Sequence, residues 1–202
     1  MSGQIITARA VARTLGLAVL AGAVSGLVIG GIGGRLFMFV LARLNPEEHG
    51  LSTDDGFEMG QFTASGTLNL LAVTTVIGIV GGVLFLVLRG LRFGPGWFRV
   101  LSMPIGTTIV VGALLVHSDG VDFSLLQPRG LAVAFTLAVP FLYTLMVAWL
   151  ADRWIGSEPW VWSRLPAAFP WIARAALVAF AVIAFVDLLS TIDEILHPFQ
   201  FD

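Results

Sequence analysis

The sequence predicts an all-α membrane protein that folds as one bundle of five transmembrane helices. The 202-residue chain is 57% hydrophobic, only 12% of its residues are charged, and its mean hydropathy is +0.92. Soluble domains carry about a quarter charged residues, so the bilayer is the expected solvent. In addition, five largely uncharged stretches are long enough to cross a bilayer, and arginine-rich connections alternate with acidic ones.

The predicted spans form a single integral membrane domain covering the whole chain. They lie approximately at residues 14–42, 67–88, 100–116, 130–151 and 170–190. The first span follows two arginines and resembles a signal peptide at its start, but its uncharged stretch is long enough to favour a retained helix. The proline-broken segment 157–170 is expected to lie along the inner membrane surface.

Charge asymmetry predicts a topology with the N-terminus inside and the C-terminus outside. Three regions carry the arginines expected on the cytoplasmic side: Arg9, Arg13, Arg89, Arg92, Arg99, Arg153, Arg164 and Arg174. The six tryptophans fall at or beside the same connections, as amphipathic indoles do at headgroup level. The alternate connections and the C-terminal tail are acidic and should face outward.

Span one carries a glycine at every fourth position, which are Gly22, Gly26, Gly30 and Gly34. At about 100° per residue these glycines form a shallow groove that lets another helix approach closely. Span two carries a second pair of this kind, Gly78 and Gly82, and is therefore the expected partner, with Gly26 and Gly30 as its contacts. Arg35 points away from the groove and requires a polar or protein-lined surface.

The prolines within two later spans predict local distortions of the helices. Pro104 lies near the inner end of span three, and Pro140 lies near the middle of span four. Each proline removes a backbone donor, so a kink is expected at each position.

Carboxylates in the outward-facing connections are candidates for binding Ca²⁺ or Mg²⁺. This candidate acidic group comprises Asp54, Asp55, Glu58, Asp119 and Asp122. The spacing does not match an EF-hand loop, so a solvated acidic loop explains the pattern more simply.

All three histidines, His49, His117 and His197, also fall in outward regions near carboxylates. Three converging imidazoles would suit Zn²⁺ or Cu²⁺. No two of them have a ligand spacing on one helix, so separate interfacial histidines are the simpler interpretation.

A polar stripe is predicted at the outer end of span five, where Asp187, Thr191 and Glu194 recur at steps of three or four residues. Arg35 lies well inside the hydrophobic run of span one, and Asp187 is the one carboxylate within a predicted span. Burying an arginine in lipid is costly, so the two residues are expected to form a polar cluster. In the alternative interpretation, Arg35 reaches the outer headgroups and Asp187 is solvated.

The sequence favours a non-enzymatic protein without a cofactor. Cysteine is absent, which excludes disulfides and thiol chemistry, and no phosphate loop, nucleophile elbow or His-Glu-x-x-His motif is present. The leading hypothesis is an assembly or accessory subunit that acts through helix packing and an acidic outer face. The alternative is an ion or small-solute transport or binding protein with a polar site in the outer half of the bundle, and a membrane enzyme ranks third.

Composition also predicts the surroundings of the protein. All eleven basic residues are arginine, which indicates the codon bias of a GC-rich bacterial genome, so the expected location is the bacterial plasma membrane. The expected partners are the lipid bilayer and other membrane protein subunits. A net charge of −2 argues against nucleic acid.

Overall fold

The computed structural model describes residues 8–48, 50, 63–156, 166 and 168–197. Within these residues every regular element is helical, and five helical segments are long and apolar enough to cross a membrane. The segments are Ala8–Leu44, Ala64–Leu91, Gly96–Leu115, Arg129–Trp154 and Ala168–Leu196. The predicted fold class, an all-α chain with five helices suited to a membrane, is confirmed.

The first segment is one continuous helix with an unusual middle. Helix α1 (Ala8–Ser25) leads into a π-helix (Gly26–Gly33), which leads into α2 (Gly34–Leu44). In a π-helix each hydrogen bond spans five residues rather than four, so each residue turns by less than the 100° of an α-helix. Sequence periodicity did not predict this change, which alters the direction of every side chain that follows it.

The other segments begin and end close to the predicted spans, and several extend beyond them. They are α3 (Ala64–Leu88) with a 3₁₀ turn (Arg89–Leu91), α4 (Gly96–Leu115), α6 (Arg129–Trp154) and α7 (Ala168–Leu196), with a short α5 (Val121–Ser124) before α6. Hydropathy marks only the hydrocarbon-crossing part of a helix, and backbone hydrogen bonding continues past it. Pro104 and Pro140 lie within α4 and α6, which are continuous through them.

Successive segments run antiparallel, so the bundle has two ends that can be named by their residues. The Asn45 end is where α2, α4 and α7 end, and the Arg92 end is where α3 and α6 end. At the Asn45 end, the Asn45 side chain donates to the Gln127 carbonyl at 2.9 Å and accepts from the Gln127 amide at 2.7 Å. Arg129 donates to the carbonyl of Ile195 at 3.3 Å, which ties α6 to the end of α7.

Glycines bring α1 and α3 into direct backbone contact. A Cβ atom built on Gly22 would overlap the Gly78 carbonyl oxygen and lie 2.9 Å from the Gly82 Cα atom. On Gly26 it would overlap the Thr74 carbonyl oxygen and lie 2.9 Å from the Gly78 Cα atom. The register differs from the expected one by a helical turn, since Gly22 and Gly26, rather than Gly26 and Gly30, lie against Gly78.

The last two predicted groove positions lie beyond this backbone contact. A Cβ atom on Gly30 would meet the Thr74 side chain at 2.9 Å, and one on Gly34 would meet only the Leu70 side chain, at 3.9 Å. The helices therefore separate progressively from Gly22 towards Gly34, and space opens between them near the Asn45 end.

Helix α6 packs against both α1 and α4, and α7 packs on the outside of α4. Near the Asn45 end, Val116, Val133 and Leu188 are buried together where α4, α6 and α7 meet. Near the Arg92 end, Phe85 of α3 is buried against Val147 of α6 and its neighbours.

Arginines hold the Arg92 end together. Arg92 binds both carboxylate oxygens of Asp152, at 2.7 and 2.8 Å, and its side chain is only 7% exposed. Arg89 donates to the Gly156 carbonyl, and Arg174 donates to the Gly90 and Leu91 carbonyls at 3.2 and 3.3 Å. The last carbonyls of a helix lack partners within it, so these arginines close helix ends where α3, α6 and α7 converge.

Candidate functional site

A cavity of about 670 Å³ lies inside the bundle. Its walls come from the π-helix and α2 on one side, α3 on another, and α4 and α6 opposite. Most of the side chains that line it are apolar, among them Phe37, Ile77, Val111 and Val139. Sites for small molecules enclose about 300–1,000 Å³ and are mainly apolar with a few polar groups, so this cavity has the size and character of a binding site.

The cavity opens sideways between α3 and α4. In the described part of the chain, α3 packs mainly on α1 and the π-helix, α4 packs on α6 and α7, and α3 and α4 do not pack closely together. Ile77 and Leu84 of α3 line the cavity, yet they are 64% and 55% exposed. Both helices are long and apolar enough to cross a membrane.

Several hydroxyl groups line the cavity, and three of them already bind backbone carbonyls. Thr74 donates to Leu70 at 2.8 Å, Thr136 donates to Ala132 at 3.0 Å, and Tyr143 donates to Gly78 at 2.6 Å. Two further threonines, Thr107 and Thr144, line the same walls. A hydroxyl that already donates to a backbone carbonyl presents less polarity to a ligand, so the walls behave as largely apolar.

The strongest polar group of the site is Arg35. It is the second residue of α2, directly after the π-helix, and among the described residues that line the cavity it alone carries a charge. Arg35 precedes the end of α2 by nine residues, or about 13 Å of helix, which places it below the Asn45 end. Gly34 beside it leaves space towards Leu70, so α2 and α3 are separated at this level.

Asn69 supplies a second polar group near the same end. It lies five residues after the start of α3, about 7 Å along the helix axis, and lines the cavity. Its side chain is exposed at the lateral opening. A carboxamide offers both donors and an acceptor, so the polar part of the site lies near the Asn45 end and the apolar part extends towards the Arg92 end.

The structure does not bring the predicted polar cluster together. Asp187 is exposed on α7, a helix that contributes no described residue to the cavity, and its pairing with Arg35 is not observed. Thr191 donates to the Asp187 carbonyl at 3.1 Å, within its own helix, and Glu194 is exposed. The expectation failed because helix periodicity gives the faces of a helix but not which helix lies beside each face.

The candidate metal ligands are only partly described. His117 is exposed beside the Leu115 carbonyl, and His197 lies 3.0 Å from Asp193 in an exposed pair on α7. Asp119 is exposed as well. The remaining candidates, His49, Asp54, Asp55, Glu58 and the side chain of Asp122, lie outside the described residues. Within the residues that are described, no three histidine or acidic side chains group as metal ligands would.

Two features of the structure were missed by sequence reasoning. The cavity was not predicted; the available signal was the polar residues Thr107 and Thr136 within the otherwise apolar predicted spans three and four. The bidentate pair between Arg92 and Asp152 was also missed, because Asp152 lies just past the end of predicted span four. A carboxylate at that position, with arginines in two neighbouring connections, was the available signal.

Comparison of the chain with protein families, with curated proteins and with solved structures gives no match. Its function is therefore inferred from the geometry and chemistry of the cavity.

Proposed function

We propose that this chain is a non-enzymatic membrane protein that binds a lipophilic small molecule taken directly from the bilayer. The observation that carries the proposal is the cavity of about 670 Å³, which is open sideways between α3 and α4. A lipophilic ligand is concentrated in the bilayer, and a lateral opening lets it enter without passing through water. This proposal develops the binding-protein alternative, with its polar site in one half of the bundle.

Binding fits the cavity better than conduction of ions. An ion path needs polar groups from one face of the membrane to the other. Here Arg35 and Asn69 lie near the Asn45 end, while Phe85, Leu88 and Val147 line the cavity towards the Arg92 end. The tight packing of Phe85 and Val147 with neighbouring side chains further narrows that end.

The accessory-subunit hypothesis receives less support. It was based on the glycine surfaces of the first two spans, and Gly22, Gly26, Gly78 and Gly82 pack against one another inside the chain. Those surfaces are therefore unavailable to another subunit. Partner subunits remain an expectation that this geometry does not favour.

We also propose a location in the bacterial plasma membrane, with the N-terminus cytoplasmic and the C-terminus outside. The arginines and tryptophans near the Arg92 end support this orientation, since basic residues favour the cytoplasmic side. In this orientation the Asn45 end, with Arg35 and Asn69 below it, belongs to the outer half of the bundle.

Filling the cavity tests the proposal. Val111→Trp places a large side chain in the cavity from α4, whereas Leu114→Trp adds the same side chain at a position that is 68% exposed and outside the cavity lining. Each protein is extracted from native membranes in mild detergent and its bound lipids are measured by native mass spectrometry. Wild type and Leu114→Trp should keep a bound lipophilic molecule that Val111→Trp loses. Equal retention by all three proteins would refute the proposal.

A further inference from the structure

We infer that the ligand of this cavity is a single-chain amphiphile with an anionic headgroup, a carboxylate or a phosphate, which Arg35 binds near the Asn45 end. The inference depends on the proposed binding function and adds the chemical class and the orientation of the ligand. The apolar chain of the ligand lies along the cavity towards the Arg92 end.

The headgroup is assigned by charge. Arg35 is the one charged side chain among the described residues that line the cavity. A guanidinium has five N–H donors in a planar fork that matches carboxylate and phosphate oxygens. It can therefore hold an oxyanion while keeping a contact with the protein. An anionic headgroup is the ligand chemistry that this side chain recognises best.

Asn69 refines the assignment. It lines the same end of the cavity from α3, opposite the helix that carries Arg35, and it is exposed in the lateral opening. Its carboxamide N–H groups can donate to a second oxygen of the headgroup. The separation of α2 from α3 at Gly34 and Leu70 leaves room between the two polar side chains.

The length and lining of the cavity suit an elongated apolar chain. From Leu115 to Met103, the cavity follows α4 for twelve residues, which is about 18 Å of helix. Along this length the walls are mainly aliphatic and aromatic, and the hydroxyls of Thr74, Thr136 and Tyr143 bind backbone carbonyls. An elongated apolar chain fits this space, and its length matches about half to two-thirds of the ~30 Å hydrocarbon core.

The arginines of the Arg92 end do not offer an equivalent headgroup site. Arg92 is engaged by both oxygens of Asp152, and Arg174 donates to the carbonyls of Gly90 and Leu91. None of these side chains lines the cavity. Within the described lining the charge therefore lies at one end, which sets the orientation of the amphiphile.

The test compares probes of equal chain length that differ in the headgroup. Detergent-solubilised full-length protein is titrated with palmitic acid, palmitoyl lysophosphatidic acid, hexadecanol and hexadecylamine, and binding is measured by the shift in thermal unfolding. A hydrogen bond to a charged group contributes roughly 1.5–3 kcal/mol, so the two anionic probes should bind about tenfold or more tightly than hexadecanol. Which anionic probe binds more tightly identifies the carboxylate or the phosphate as the preferred headgroup.

Substitutions in α2 test whether Arg35 causes the preference for anionic probes. Arg35→Gln should bring palmitic acid and hexadecanol to equal affinity, and Arg35→Lys should restore part of the difference. The matched control is Arg43→Gln, since Arg43 is exposed on the same helix, stacks on Phe39 at 5.0 Å and does not line the cavity. The control should keep the wild-type preference.

The outcomes separate the inference from the proposed function. Equal binding of palmitic acid and hexadecanol by wild type would overturn the anionic assignment and leave the lipophilic-binding function standing. A preference that persists in folded Arg35→Gln would also overturn it. If Arg35→Gln does not fold, the comparison of palmitic acid with hexadecanol, made on wild type and on Arg35→Lys, still tests the anionic assignment. If wild type binds none of the four probes and retains no lipid from native membranes, the proposed function itself is refuted.

Discussion

The contact between α1 and α3 gives the sharpest prediction for stability, because two backbones meet there without side chains between them. Replacing Gly26 with alanine adds one methyl group at a position where it would overlap the Thr74 carbonyl oxygen and lie 2.9 Å from the Gly78 Cα atom. Neither obstacle is the end of a flexible side chain. The helices must therefore move apart along the whole glycine contact.

The magnitude follows from the packing that is lost. Overpacking a close-packed site costs about 1–3 kcal/mol, and each Cα–H···O contact that the separation removes is worth about 0.5–1 kcal/mol. A total of about 2–4 kcal/mol is expected. For a chain of 150–250 residues, each kcal/mol corresponds to about 2–4 °C in the melting temperature, so Gly26→Ala should lower it by on the order of 10 °C.

Gly16 provides the matched control on the same helix. A Cβ atom built on Gly16 would meet nothing within 4 Å, and alanine is about 1 kcal/mol better than glycine in a helix interior. Gly16→Ala should thus be neutral or slightly stabilising. Thermal unfolding of both purified variants in the same detergent makes the comparison. If Gly26→Ala melts at the same temperature as Gly16→Ala, the glycine contact is not the source of the packing energy.

Three further predictions concern the rest of the bundle. Arg92→Met should destabilise the protein by about 1–2 kcal/mol, a value reduced for solvent screening because the Asp152 side chain is 36% exposed. Adding Asp152→Leu should recover part of this loss, and purely additive losses in thermal unfolding would contradict the pairing. Tyr143→Phe removes the 2.6 Å hydrogen bond to Gly78 and should cost about 0.6–1.7 kcal/mol by the same measurement, whereas an unchanged melting temperature would show that this bond is not stabilising. The topology can be tested by labelling, because the chain has no native cysteine. In the proposed orientation Asp119 lies outside, so Asp119→Cys should react with a membrane-impermeant maleimide on intact cells. Labelling only after permeabilisation would contradict this orientation.

The sequence was sufficient to predict the five helices, because membrane-crossing segments need long uncharged runs and these are visible in composition alone. The glycine positions also indicated that the first two spans approach closely. The π-helix was not predictable in this way, since it is a change of hydrogen-bond pattern within a stretch that reads as uniform helix. It alters the turn per residue from Gly26 to Gly33, so the direction of Arg35 could not be obtained by counting from Gly22.

The sequence also did not predict which helices lie next to one another in the bundle. Asp187 was the predicted partner of Arg35 because both are charged residues within apolar segments. In the structure, α7 packs on the outside of α4, and the first helix packs on α3 and α6. Lipid gives little apolar preference between one helix and another, so hydropathy cannot rank the possible neighbours. The cavity depends on that ranking, because it exists only where α3 and α4 remain apart.

The connection between α3 and α4 keeps the two helices close together at one end of the bundle. At the Arg92 end the two helices are joined by residues 92–95, and four residues span at most about 14 Å. The Arg92–Asp152 pair and the bonds from Arg174 to Gly90 and Leu91 further restrain that end. Among the described residues no comparable short link joins α3 to α4 at the Asn45 end, where Asn69 is exposed. We expect the gap to widen from this link towards the level of Arg35, which is where the proposed headgroup would lie.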